Sequence, residues 1–147
     1  MKKFAAVLAG AAILTSSISF AAVSSDKIAL GKVTPGMSIN DLIAAYGQPN
    51  SKHGDDWHYS HFTVEIDDDR PNVVEKVSTR TSGIATPNGV MVGQNASVLN
   101  STFGTADKVD SEHDGTEYEY FSTDRTKKIE FKVRDNVIVK ISCNVHD

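Results

Sequence analysis

Between residues 36 and 47 the apolar positions fall at Ile39, Leu42, Ile43 and Tyr46, the i, i+3, i+4, i+7 spacing of one helix face. Ser38 precedes that face as a cap for the free N–H groups, and Asp41 sits near the positive end. Gly47 supplies a left-handed stop and Pro49 prevents continuation. A second face, Ala96, Leu99 and Phe103, follows the cap residue Asn95 and ends at Gly104. Two short helices are predicted.

Elsewhere the period drops to two. Trp57 and Tyr59 lead into Phe62, Val64 and Ile66, and after a turn around Asp69 to Asn72 comes Val73 to Thr79. In the second half Tyr118 to Phe121 is followed by Ile129, Phe131 and Val133, with Lys128, Glu130 and Lys132 on the other side. Arg134-Asp135-Asn136 turns the chain into Val137, Val139, Ile141 and Cys143. Such alternation predicts antiparallel strands with one buried and one wet face. Glu75 breaks the pattern where Val139 keeps it, so either the register differs there or a charge lies on the inner face.

The halves also match each other. Gly36 to Gly47 aligns with Gly93 to Gly104, Val64-Glu65-Ile66 with Ile129-Glu130-Phe131, and Val73 to Ser78 with Val137 to Ser142, the offset drifting from 57 to about 65 residues. The expected fold is α+β: two tandem repeats, residues 31–82 and 83–147, each a short helix packed on an antiparallel sheet.

Residues 1–21 read as a signal peptide. Lys2 and Lys3 give a positive start, Phe4 to Ile13 is apolar, and Ser19-Phe20-Ala21 offers small residues at the cleavage positions. The apolar run is about half of the roughly 20 residues a membrane span needs. Residues 22–30 are then an N-terminal segment, and the product is expected to be exported, periplasmic or extracellular, without a stable membrane anchor. Loss of Lys2 and Lys3 takes the formal net charge from −4 to −6. That sign disfavours nucleic acid as a partner, because phosphate binding needs a basic surface. With 39% hydrophobic and 23% charged residues the chain is globular, and its one Cys excludes an internal disulfide.

Gly36-Met37-Ser38, the Asp-containing helix closing on Tyr46-Gly47-Gln48-Pro49, and then Trp57-x-Tyr59 resemble the SmpA/OmlA family of small outer-membrane lipoproteins. The tandem arrangement is also similar to β-lactamase-inhibitory-protein folds. The SmpA/OmlA family is lipid-anchored and assists outer-membrane protein assembly; the anchoring Cys has no counterpart after Ala21. The resemblance implies a non-catalytic, extracytoplasmic, protein-binding module.

Candidate chemistry is sparse. His53, Asp55, His58 and His61 are the residue types that zinc takes as ligands, close in sequence though with no proof of convergence; solvent-facing histidines are the simpler reading. Asp110 to Gly115 starts like a calcium loop, but the twelfth position is Phe121 instead of a bidentate Glu, so it reads as an acidic loop. Cys143 continues a core face. No nucleophile elbow, phosphate loop or zincin pattern occurs, and no cofactor is implied. Trp57, Tyr59, Tyr118 and Tyr120 recur on corresponding strands and are the candidate partner-binding residues, core filling being the alternative. The expected function is a non-enzymatic exported binding or accessory module acting on a protein partner, an inhibitor being one form of it. A metal or small-ligand binder using the His/Asp loops is the alternative, and a small hydrolase the third.

Overall fold

A computed structural model describes residues 23–146; the signal-peptide reading of residues 1–21 lies outside them. Helix α1 (Ile39–Tyr46) is followed by strands β1 (Ser51–His53), β2 (Asp56–His58), β3 (Thr63–Ile66) and β4 (Val74–Thr79). Helix α2 (Ser97–Phe103) is followed by β5 (Lys108–Glu112), β6 (Gly115–Phe121), β7 (Lys127–Arg134) and β8 (Val137–Val145).

The expected pair of helix-on-sheet repeats is corrected by the strand pairing. The eight strands form one antiparallel sheet, in the order β1-β2-β3-β4-β8-β7-β6-β5, and among the described residues two short α-helices and a 3-10 turn at Ser25–Lys27 accompany it. The join is β4 to β8, where Val77 faces Cys143, Ser78 faces Ser142 and Thr79 faces Ile141. Left separate, β4 and β8 would each expose an edge of unpaired N–H and C=O groups beside an apolar stripe. Pairing satisfies both edges and merges the apolar stripes into one core. Alternation along a strand fixes which face is buried and says nothing about which strand lies next to it.

Direct partners share a face, so one row of the sheet runs Trp57, Val64, Val77, Cys143, Ile129, Tyr120. The next runs Thr79, Ile141, Phe131, Tyr118, Val109. Leu42 of α1, Leu99 and Phe103 of α2, and Ile28, Leu30 and Val33 pack with these rows as one hydrophobic cluster. The ring of Phe103 lies 5.2 Å from Phe131 and 5.4 Å from Tyr120.

Glu75 is explained by register. Glu65 faces Lys76 but Ile66 faces Val74, so Glu75 is the extra residue of a bulge. A bulge also lies in β8, where Lys132 faces Lys140 and Val133 faces Ile138, leaving Val139 extra. It reverses the phase: Ile138 is fully buried and Val137 is 37% exposed, so the expected Val137–Val139 core face is corrected to Ile138, Ile141 and Cys143. The acidic loop expected at Asp110 to Gly115 is shortened to the turn at His113 and Asp114 by the regular pairing of β5 with β6. Residues up to Glu112 belong to the edge strand β5, whose five residues are all exposed.

Both helices are held at their ends. Ser38 Oγ accepts from Asp41 N–H at 3.1 Å, and Asn95 Oδ1 accepts from Ser97 N–H at 2.9 Å. Gly47 and Gly104 stop them with φ of 77° and 76°, but with ψ of −168° and −152°. The backbone is therefore in the positive-φ extended region, not the left-handed helical one.

Candidate functional site

The helices, and with them the core, occupy one face of the sheet, and the other presents its polar positions. One row there is His58, Thr63, Ser78, Ser142, Glu130, Glu119, Lys108, and its neighbour is Asp56, Glu65, Lys76, Asn144, Lys128, Phe121. A groove of about 400 Å³ opens on this face, with Asp56, His61 and Glu65 on one side and Lys76, Arg80 and Lys140 on the other.

The charges are unevenly matched. On β7, Lys128 pairs with Glu119 at 2.9 Å and Glu130 at 2.8 Å, and Lys132 with Glu112 at 2.7 Å and Asp114 at 3.2 Å. Lys76, Arg80 and Lys140 make no ion pair with a described residue. Burial, and then the positive charges of Lys76, Arg80 and Lys132, hold the Lys140 amine below its ordinary value. Burial, and then Glu130 and Glu112, push the Glu117 carboxyl up. Asn144 lies between Lys76 and Lys128, and its Nδ2 is buried without an acceptor among the described residues.

The aromatic candidates lie elsewhere. Trp57, Tyr118 and Tyr120 are on the helix-covered face, Trp57 and Tyr118 half-buried and Tyr120 only 1% exposed. Lys52 Nζ sits 4.0 Å from the Trp57 ring centroid, capping the outer end of the core. The Tyr120 hydroxyl donates to Gly104 O at 3.0 Å, and burial pushes its pKa up to about 12. Tyr59 uses the same device in the other half: it donates to Gly47 O at 2.9 Å and stacks on Phe62 at 4.7 Å.

The histidine candidates do not converge on one point among the described residues. His53 and His58 have ring centroids 5.3 Å apart, and His58 Nδ1 lies 3.2 Å from Thr63 Oγ1. His61 is at the β2–β3 turn, where its carbonyl accepts from Thr79 Oγ1 at 2.6 Å. Its ring rests on Gly83, where a Cβ would come within 2.2 Å of Nδ1. Asp55 interacts with Asp68, whose carboxyl is raised by that hydrogen bond and by the Asp55 charge. Among the described residues no three His, Cys, Asp or Glu side chains gather closely enough to hold a metal ion. Cys143 is fully buried, and desolvation raises its thiol pKa far above the usual range, which leaves it inert as a nucleophile.

Sequence reasoning did not single out Lys76, Arg80 and Lys140. A signal was present: Lys76 and Ser78 are polar positions of β4, Arg80 follows its last residue, and Lys140, Ser142 and Asn144 alternate along β8. Only the β4–β8 pairing brings them to one place.

No family model matches the chain, so the SmpA/OmlA resemblance rests on its short motifs. The chain is 34% identical over 111 residues to the major S-layer protein of Methanosarcina mazei, a match covering 73% of this chain and 16% of that protein. It thus spans about one sixth of that relative's length. In fold it is similar to a DUF4309 family protein from Bacillus subtilis, with a TM-score of 0.53 and 15% identity over 74% of this chain and 78% of that one. It is also similar to an extracellular protein containing an SCP domain from Bacillus anthracis, with a TM-score of 0.54 and 8% identity over 76% of this chain and 44% of that one. Identities this low establish a shared fold. Among the described residues no helix is long and apolar enough to cross a membrane.

Proposed function

We propose that the chain is an exported, non-catalytic module that holds a protein partner on the face of its sheet that neither described α-helix covers, the helix-free face. The observation that carries this reading is the asymmetry of the sheet. Its apolar rows are closed by α1, α2 and the N-terminal segment, while its polar rows carry a groove of about 400 Å³ with charges of both signs. A surface rich in charge and hydroxyl groups on a rigid sheet suits recognition of a polypeptide surface. The leader-like residues 1–21 and the extracellular character of the similar proteins support export.

Ser78 lines the groove, faces Ser142 across the β4–β8 join, and is on the face away from the core. Ser78→Trp should fill the groove, leave the thermal midpoint within about 2 °C of the parent because no core contact is lost, and reduce capture of the partner from envelope extract by about tenfold or more. Asn100→Trp, at an exposed position of α2, should leave capture unchanged. Undiminished capture by folded Ser78→Trp would contradict the reading.

A further inference from the structure

The helix-free face divides into a half whose charges are matched and a half whose charges are not. Around β5 to β7 the lysines are neutralised by Glu112, Asp114, Glu119 and Glu130. Along β4 and β8 no lysine makes an ion pair with a described residue, although Glu65 faces Lys76 across the β3–β4 ladder. Lys140 faces Lys132 directly on one side, and Arg80 follows Thr79, the partner of Ile141, on the other. Like charges set opposite one another across strands oppose sheet formation. This one persists in a chain whose formal net charge is −4, so it does not follow from a general excess of basic residues. Surplus cations on a partly desolvated surface are an attractive site for anions.

We infer that the partner enters this groove with an acidic loop, its carboxylates received by Lys76, Arg80 and Lys140; the assignment rests on the binding reading above. The guanidinium of Arg80 can take a carboxylate through two parallel N–H donors, and the two ammonium groups add charge-assisted bonds. Ser78 and Thr81 supply hydroxyl groups in the same groove. The opposite wall decides between polymers. Asp56 and Glu65 lie there and repel a uniformly anionic chain, whereas a polypeptide loop can turn amide N–H groups or a basic side chain toward them. A protein loop of mixed charge with an acidic tip therefore matches the groove better than an acidic polysaccharide does.

The test is a nuclear magnetic resonance titration of the protein with the peptide acetyl-Glu-Glu-Gly-Lys-amide, beside tetragalacturonate as the polysaccharide probe. The inference predicts saturable shifts centred on Ser78, Arg80 and Lys140. K76Q/R80Q/K140Q should weaken peptide binding about tenfold or more, and K27Q/K32Q/K108Q, which removes as much charge elsewhere, less than about twofold. Equal weakening by both triple variants, tighter binding of tetragalacturonate, or no saturable shift would overturn it. Partner capture separates this failure from that of the underlying reading. If K76Q/R80Q/K140Q captures the partner normally while Ser78→Trp does not, the face binds but not through an acidic loop. If Ser78→Trp also captures normally, the binding reading itself is wrong.

Discussion

Replacing Phe131 by Ala should cost about 3–5 kcal/mol, the range for removing a fully buried aromatic ring. Phe131 has no exposed surface, and its ring meets Phe103 at 5.2 Å and Tyr120 at 6.0 Å while its backbone lies between Tyr118 and Ile141. It is the point where α2 meets the strands of the second half. A domain of this size has a total stability of about 5–15 kcal/mol, so one substitution takes away a large share of it. The thermal midpoint should fall by roughly 10 °C or more. Val109→Ala, in the same row but 53% exposed, should change it little. Denaturant and thermal melts of the two variants check this, and a small effect at Phe131 would mean that the helix does not close this face.

Gly47→Val and Gly104→Val should each cost about 1–3 kcal/mol, for a different reason. Their φ values of 77° and 76° combine with extended ψ, a region that a side chain with a Cβ hardly enters. Nothing lies within 4 Å of a Cβ built at Gly47, so the penalty there is backbone strain without a clash. Relief of the strain would pull the Gly47 carbonyl from the Tyr59 hydroxyl, and the Gly104 carbonyl from Tyr120. Tyr120→Phe keeps the ring and removes only the hydrogen bond, so it should cost about 1 kcal/mol. Melts that leave both Gly→Val variants unchanged would show that the helix stops are wrongly placed.

What the sequence disclosed follows from where side chains are buried. The i, i+3, i+4, i+7 face of α1, its Ser38 cap and its Gly47 stop were legible because each is a local feature. Strands β3, β4, β6, β7 and β8 were legible because one side of each is buried. Edge strands β1 and β5 left no such trace: all of Ser51–His53 and Lys108–Glu112 are exposed, so their residues do not alternate in polarity. The single sheet was hidden because β4 and β8 are more than 50 residues apart in the chain and nothing local records their pairing. The bulge in β8 misled for a related reason, whereas Glu75 had marked the one in β4. Parity counting assigns Val139 to the core, and the extra residue moves that place to Ile138.

The candidate site was less legible than the fold. A wet face was evident from Lys128, Glu130 and Lys132, but aromatic residues drew attention to Trp57, Tyr118 and Tyr120, which the register puts on the helix side. Aromatic side chains at alternating strand positions serve packing and recognition equally well in a sequence, and only the position of the helices separates the two. The cations of the groove come from β4, the residue after it and β8, and meet only through the pairing that the sequence conceals.

The most direct test of the helix-free face as the binding surface is site-specific photo-cross-linking in the native cell. A benzophenone side chain would be placed in turn at Ser78 and Glu117 on that face, and at Asn40 and Asn100 on the helices. The account predicts covalent adducts to the same protein from Ser78 and Glu117 and none from Asn40 or Asn100. Adducts from the helix positions alone, or none from either sheet position in folded protein, would contradict it.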